Sequence, residues 1–131
     1  MHLACFDGNN LELVRLLLDK GADLEACNKN NGKTALHIAA SNNQLSLINL
    51  LLDLINLLLD RGADLESRNV YNEATPLHTA VAARDLEATR CLLTRGANME
   101  ARNDDGDTPL HLASVKSSSQ LVELLMDQGA N

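Results

Sequence analysis

The run TPLHTAVAARDLEATRCLLTRGAN, Thr75–Asn98, reads as two helices and a stop. The Thr75 hydroxyl can accept from the amide three residues on. Pro76 then sits at the first helical position, where a missing N–H costs nothing. A short Ala-rich first helix follows in HTAVAA, and a turn leads into a second helix. Gly96 ends that second helix at a position where φ > 0 is wanted. Helix, turn, helix and glycine stop make one unit.

The unit recurs along the chain. GAD or GAN stands at Gly21, Gly62, Gly96 and Gly129, at steps of 41, 34 and 33. Histidine stands at His2, His37, His78 and His111, at steps of 35, 41 and 33. Thr34–His37 reads TALH and Thr108–His111 reads TPLH, so Pro109 repeats the role of Pro76. Leu11, Val14, Leu17 and Leu18, and later Leu121, Leu124 and Leu125, space apolar side chains three and four apart, as one helix face requires. Between the units, ADLEACNKNNGK and ANMEARNDDGD carry turn chemistry and predict hairpin-like loops.

Both 41-residue steps have one cause. Leu47–Asp60 reads LINLLLDLINLLLD, seven residues written twice, and removing seven turns each 41 into 34. Seven residues bring a helix back to within about 20° of its start, so the apolar phase survives the insertion. Only one copy can hold the native place. If Leu47–Asp53 held it, Ile55 would fall on the slot of Gly62, and a β-branched residue would need φ > 0. If Leu54–Asp60 holds it, Arg61 and Gly62 stay in place, Leu52 takes the apolar slot of Leu45, and Asp53 takes the polar slot of Ser46. The second copy is the expected native one. About Leu45–Leu51 is then displaced toward the turn between paired helices, as a helical extension of up to two turns or a longer loop with Ser41–Gln44. The unbroken apolar phase favours helix. Leu45, Leu47, Ile48, Leu50 and Leu51 form a candidate self-association patch, since each gains roughly 1.5–3 kcal/mol on full burial.

Composition narrows the class of partner. The chain has 131 residues, enough for one domain with a buried core. Phe6 and Tyr71 are its only aromatics, so the core is aliphatic, which favours helices. A formal net charge of −7 argues against nucleic acid or an anionic membrane surface as partner. The most apolar run, Leu45–Leu59, is interrupted by Asn49, Asp53 and Asn56 and is too short to span a bilayer. Cys5, Cys27 and Cys91 are an odd number in no CxxC arrangement, which fits free thiols in a reducing compartment. With no secretory signal pattern, the expected location is cytoplasmic or nuclear.

A period of about 33 residues, TPLH opening one helix and LLL…GAD closing the next, resembles the ankyrin repeat family. The resemblance covers the whole chain: a partial unit at about 1–28, units at 29–69 (with the insertion) and 70–103, and an incomplete one at 104–131. It implies an all-α solenoid of antiparallel helix pairs with hairpin-like loops projecting at right angles. It also implies a non-enzymatic protein–protein interaction scaffold that needs no cofactor. The chain departs from the family pattern in places. Ala35 stands where Pro76 and Pro109 stand later, and Asn43, Arg84 and Ser117 fill the turn that is often glycine in the family. The repeated heptad and the abrupt ends fit an engineered or truncated form of a longer array.

Partner contacts are expected where the repeat does not dictate the residue. In the loops these are Lys29, Asn30, Lys33, Tyr71, Glu73, Asp104, Asp105 and Asp107. On the first-helix face they are Ser41, Asn42, Ala83, Arg84, Val115 and Lys116. Tyr71, at a loop tip, is the best single anchor, since interface hot spots favour Tyr. The alternative is a metal-dependent hydrolase using the repeat histidines and the loop aspartates. Equivalent positions in a stack lie about 10 Å apart, too far to share one ion. Each histidine is therefore expected to bond its own Thr and the neighbouring loop.

Overall fold

The computed structural model describes residues 16, 19–21, 23–27, 29–30, 32–34, 36–37, 48–116 and 118–129. Among them run five α-helices: α1 (Ile48–Asp60), α2 (Pro76–Ala82), α3 (Leu86–Thr94), α4 (Pro109–Val115) and α5 (Ser119–Asp127). No strand occurs among the described residues.

The helix ends follow from the residues that close them. Thr75 Oγ1 accepts from the His78 amide and His78 Nδ1 accepts from the Thr75 amide, a reciprocal cap that starts α2 with Pro76 in its first turn. Thr108 and His111 start α4 the same way. Asp85 caps α3 by accepting from the Ala88 amide at 3.0 Å, and the Ser118 hydroxyl caps α5. Gly96, at φ +93, ends α3 while the Ala97 amide reaches back to the Leu92 carbonyl at 3.0 Å. Gly62, at φ +96, ends α1 with the matching bond from Ala63 to Leu58.

The helices pack as two layers. α2 and α4 lie against each other in one layer, and α1, α3 and α5 succeed one another in the second, each first helix resting on its own partner. Leu58, Leu92 and Leu125, at one slot of successive second helices, are all 0% exposed. Leu36 and Leu77 fill the matching slot of the first helices and are also buried. Each such leucine contributes roughly 1.5–3 kcal/mol by leaving water.

The duplication resolves in favour of the second copy. Ile55 and Leu58 are wholly buried, as are Thr89 and Leu92 at the same slots of α3. Asp53, in the first copy, is exposed. Arg95 reaches back to Asp60 at 2.7 Å, just as Arg61 reaches back to Asp19 at 2.5 Å, so Asp60 occupies the ordinary acidic slot. Aligned on their glycine stops, α3 and α5 have nine residues and α1 has thirteen, the four extra being Ile48–Leu51 at its N-terminus. The extension is helical over those four. Leu45 and Leu47 lie outside the described residues.

Candidate partner-binding face

The threonine–histidine caps also fasten one unit to the next. His78 Nε2 donates to the Asp107 carbonyl at 2.8 Å, and His37 Nε2 donates to the Ala74 carbonyl at 2.7 Å. A carbonyl can only accept, so Nε2 carries the proton and Nδ1 is left to accept from Thr. Thr75 meets that nitrogen with its hydroxyl at 2.9 Å, and Thr34 does so at 2.8 Å. Burial, as the main cause, pulls both imidazoles below the ordinary histidine pKa; the accepting carbonyls oppose it. Every nitrogen of His37 and His78 is thus engaged by the chain itself. No group of three or more metal-ligating side chains occurs among the described residues.

The loops are joined by a second series of repeated contacts. Glu25 Oε2 accepts from the Asp64 amide, and Glu66 Oε2 accepts from the Asn98 amide, each at 2.9 Å. Desolvation raises the Glu66 pKa, and the Asn98 amide partly offsets it. The recurring glutamates are therefore inter-unit braces. The Asp104 amide donates to the Asn72 carbonyl at 3.0 Å, and Arg68 donates to the Arg102 carbonyl. Tyr71, 60% exposed, donates its hydroxyl to the Lys29 carbonyl at 2.5 Å. One ring edge lies beside Gly32, and its polar end holds the preceding loop.

Between these loops and the first helices runs a groove of about 510 Å³. Thr79 and Ala82 of α2 and Leu112 of α4 line one side, while Asn69, Asn72 and Asn103 line the loop side. Of the residues expected from sequence, Lys33, Ala83 and Lys116 line it. Arg84 lies at its rim, donating to the Lys116 carbonyl at 2.8 Å. Tyr71, Glu73, Asp104 and Asp105 are exposed on the loop tips, as are Lys29 and Asn30. Asp107 is half-buried, and Val115 is 76% exposed at the end of α4. Ser41 and Asn42 lie outside the described residues, as do the side chains of Ile48, Leu50 and Leu51.

Sequence reasoning missed the asparagines. The signal was available: Asn69 and Asn103 each stand seven residues after a unit-ending glycine. Burial, the larger cause, raises the pKa of the Cys91 thiol, and the Arg95 cation opposes it. The Cys91 thiol donates to Asn56 Oδ1 at 3.6 Å beside a shallow depression between α1 and α3.

Stacked helix pairs, bound one to the next by buried caps and bridged loops, define a repeat solenoid with a groove between its loops and first helices. The chain belongs to the ankyrin repeat family: a model described as ankyrin repeats (3 copies) matches residues 52–131, and one described as ankyrin repeats (many copies) matches residues 1–52. It is therefore a protein–protein interaction scaffold. Among its relatives, the tyrosine-protein kinase HTK16 of Hydra vulgaris is 33% identical over 100% of this chain and 16% of its own length. The human NF-kappa-B inhibitor zeta is 34% identical over 78% of this chain and 14% of its own. The mouse nuclear factor NF-kappa-B p105 subunit is 33% identical over 100% of this chain and 9% of its own. The chain thus spans a small part of these relatives. No helix among the described residues is long and apolar enough to cross a membrane.

Proposed function

We propose that the chain is a non-enzymatic docking scaffold that holds a protein partner in the groove between its loops and first helices. One observation carries this reading: the groove is built from side chains of successive units whose relative positions are fixed by buried inter-unit bonds. A preorganised surface loses little entropy on binding. Its contacting set would be the exposed loop residues together with Lys33, Ala83, Arg84, Val115 and Lys116. The four-unit division given above describes the scaffold, and the cytoplasm or nucleus is where it would work.

Ala82 lines the groove and is exposed, so Ala82→Trp fills the groove without disturbing the core. Arg90, exposed on α3, borders the depression between the second helices. Proteins captured by the chain should be lost with Ala82→Trp and kept with Arg90→Ala. The opposite pattern would place docking on the second-helix side. Self-association through Leu45, Leu47, Ile48, Leu50 and Leu51 is a further proposal, supported by the unbroken apolar phase and the early start of α1. Sedimentation of the chain and of its Leu47→Lys/Leu50→Lys form tests it; equal masses would remove that patch.

A further inference from the structure

The groove carries a charge opposite to that of the whole chain. Acidic residues outnumber basic ones by 18 to 11. Yet among the described residues lining the groove are Lys33 and Lys116 and no carboxylate. Arg84 adds a third cation at the rim, held there by its bond to the Lys116 carbonyl at 2.8 Å.

The uncharged lining shares this polarity. Asn72 Oδ1 accepts from the Ala74 amide at 3.0 Å, and Asn103 Oδ1 accepts from the amides of Asp105 and Asp107, each at 3.0 Å. Those bonds fix the carboxamides, since flipping either would set an NH₂ against an N–H. With the oxygens spent on the loops, the amino groups of Asn72 and Asn103 are the ends left for a ligand. Cations and N–H donors together call for an acceptor-rich anion.

We propose that the groove selects an extended acidic segment of a protein, with Asp or Glu carboxylates against Lys33, Lys116 and Arg84. Carbonyls of the same segment take the amino groups of Asn72 and Asn103. This deepens, and rests on, the docking reading above. The chain's net negative charge does not forbid it: at about a Debye length in water, pairs of charges interact only weakly, and salt screens them further. Contact with the groove cations is closer and better sheltered. Asp104 and Asp105, exposed on the adjoining loop tip, repel an acidic segment that strays to that edge. A nucleic acid, with one charge per ~1.7 Å of duplex, would need a basic stripe instead of three cations in an acidic chain.

A displayed library of random peptides, selected on the chain and on its Lys33→Glu/Lys116→Glu form, tests the proposal. Acidic peptides should be enriched on the chain. A fluorescein-labelled copy of one should bind roughly tenfold more weakly to the double variant, and more weakly as salt rises. Lys116→Glu alone, a half-buried cap residue outside the core, gives the same readout should the double variant fail to fold. Neutral or basic peptides that are enriched and then lost on Ala82→Trp would overturn the charge selectivity while leaving groove docking intact. No enrichment, or enrichment indifferent to Ala82→Trp, would overturn docking and the inference with it. Equal binding of a labelled single-stranded oligonucleotide would overturn the choice of a carboxylate partner.

Discussion

The threonine–histidine clasps and the loop positions two residues ahead of them are copied side by side along the chain, yet they tolerate different changes. The clasp keeps one residue pair at Thr34/His37, Thr75/His78 and Thr108/His111. The position ahead of it is left-handed in all three copies: Gly32 at φ +69, Glu73 at φ +57 and Gly106 at φ +81. A buried ring that must accept from Thr and donate to the next unit has no substitute among the twenty side chains. An exposed left-handed backbone merely prefers glycine, and glutamate can hold it at a cost of about 1 kcal/mol.

Breaking the clasp should therefore have the largest effect. His78→Leu leaves the Thr75 amide and the Asp107 carbonyl without their ring partners, and Thr75 is 0% exposed. With about 1–3 kcal/mol for each orphaned buried group, the expected loss is about 3 kcal/mol. His37→Leu should match it, since its contacts to Thr34 and Ala74 are equivalent. His111 is exposed and bonds only its own Thr108 among the described residues, so His111→Leu should cost about 1 kcal/mol. Urea unfolding of the three variants checks the order. Equal losses at His78 and His111 would show that the bond to the next unit adds nothing.

Acid should loosen the same two clasps. His37 and His78 have folded pKa values below the unfolded value of 6.5. Above that value both states are neutral and the clasps are whole. As pH falls below it, the unfolded chain binds protons first, so stability declines until the folded rings titrate as well. The facing charged groups work the same way: Lys33 and His78 act on His37, and Arg68 acts on His78, with only Asp107 opposing. Glu66 and Asp85, whose folded pKa values are raised, act in the opposite sense at lower pH. Urea midpoints at neutral and mildly acidic pH should fall for the parent chain and fall less for His78→Gln. An unchanged midpoint would mean that the clasps absorb the proton without strain.

What one unit dictates by itself was legible in the residues. Thr–Pro caps, glycine stops and the apolar slots fix each helix locally, so the choice between the two heptads followed from Gly62 and Arg61 alone. The fold, the inter-unit histidine bonds and the burial of Ile55 and Leu58 agree with it. Beyond the histidine bonds, contacts between loops were not legible: that Tyr71 spends its hydroxyl on the Lys29 carbonyl is set by distances between units that no single repeat encodes. That Asn72 Oδ1 accepts from the Ala74 amide two residues on is local turn chemistry of the kind one unit could have shown.

The loop position ahead of the clasp gives the next smaller effect. Glu73→Gly removes the left-handed strain and keeps both backbone bonds, from its amide to Asn69 and from Arg68 to its carbonyl. Offset by the extra freedom of glycine in the unfolded chain, the expected gain is about 0.5 kcal/mol. The reverse changes sharpen the point. Gly106→Ala should lose a similar amount, because a Cβ there meets nothing within 4 Å. Gly32→Ala should lose more, because its Cβ would collide with the Asn69 carboxamide and lie 2.9 Å from the Tyr71 ring. Equal losses at Gly32 and Gly106 would show that the Asn69 and Tyr71 side chains give way freely.

Among the described residues, Arg84 is the other one held left-handed without being glycine, at φ +57 in the turn between α2 and α3. Here relief and loss compete. Arg84→Gly frees the backbone of about 1 kcal/mol of strain, but it deletes the guanidinium bond to the Lys116 carbonyl and loosens the unfolded chain. An exposed side-chain bond contributes at most about 1 kcal/mol, so the net change should lie within about 0.5 kcal/mol of zero and below the gain at Glu73. Arg84→Asn separates the two terms: it tolerates φ > 0, keeps a side chain, and cannot reach as far as arginine. If Arg84→Gly instead loses 2 kcal/mol or more, roughly the scale of a buried bond, the Arg84–Lys116 contact would be a tie between units comparable to the clasps. The contrast between rigid clasps and forgiving turns would then fail at this turn.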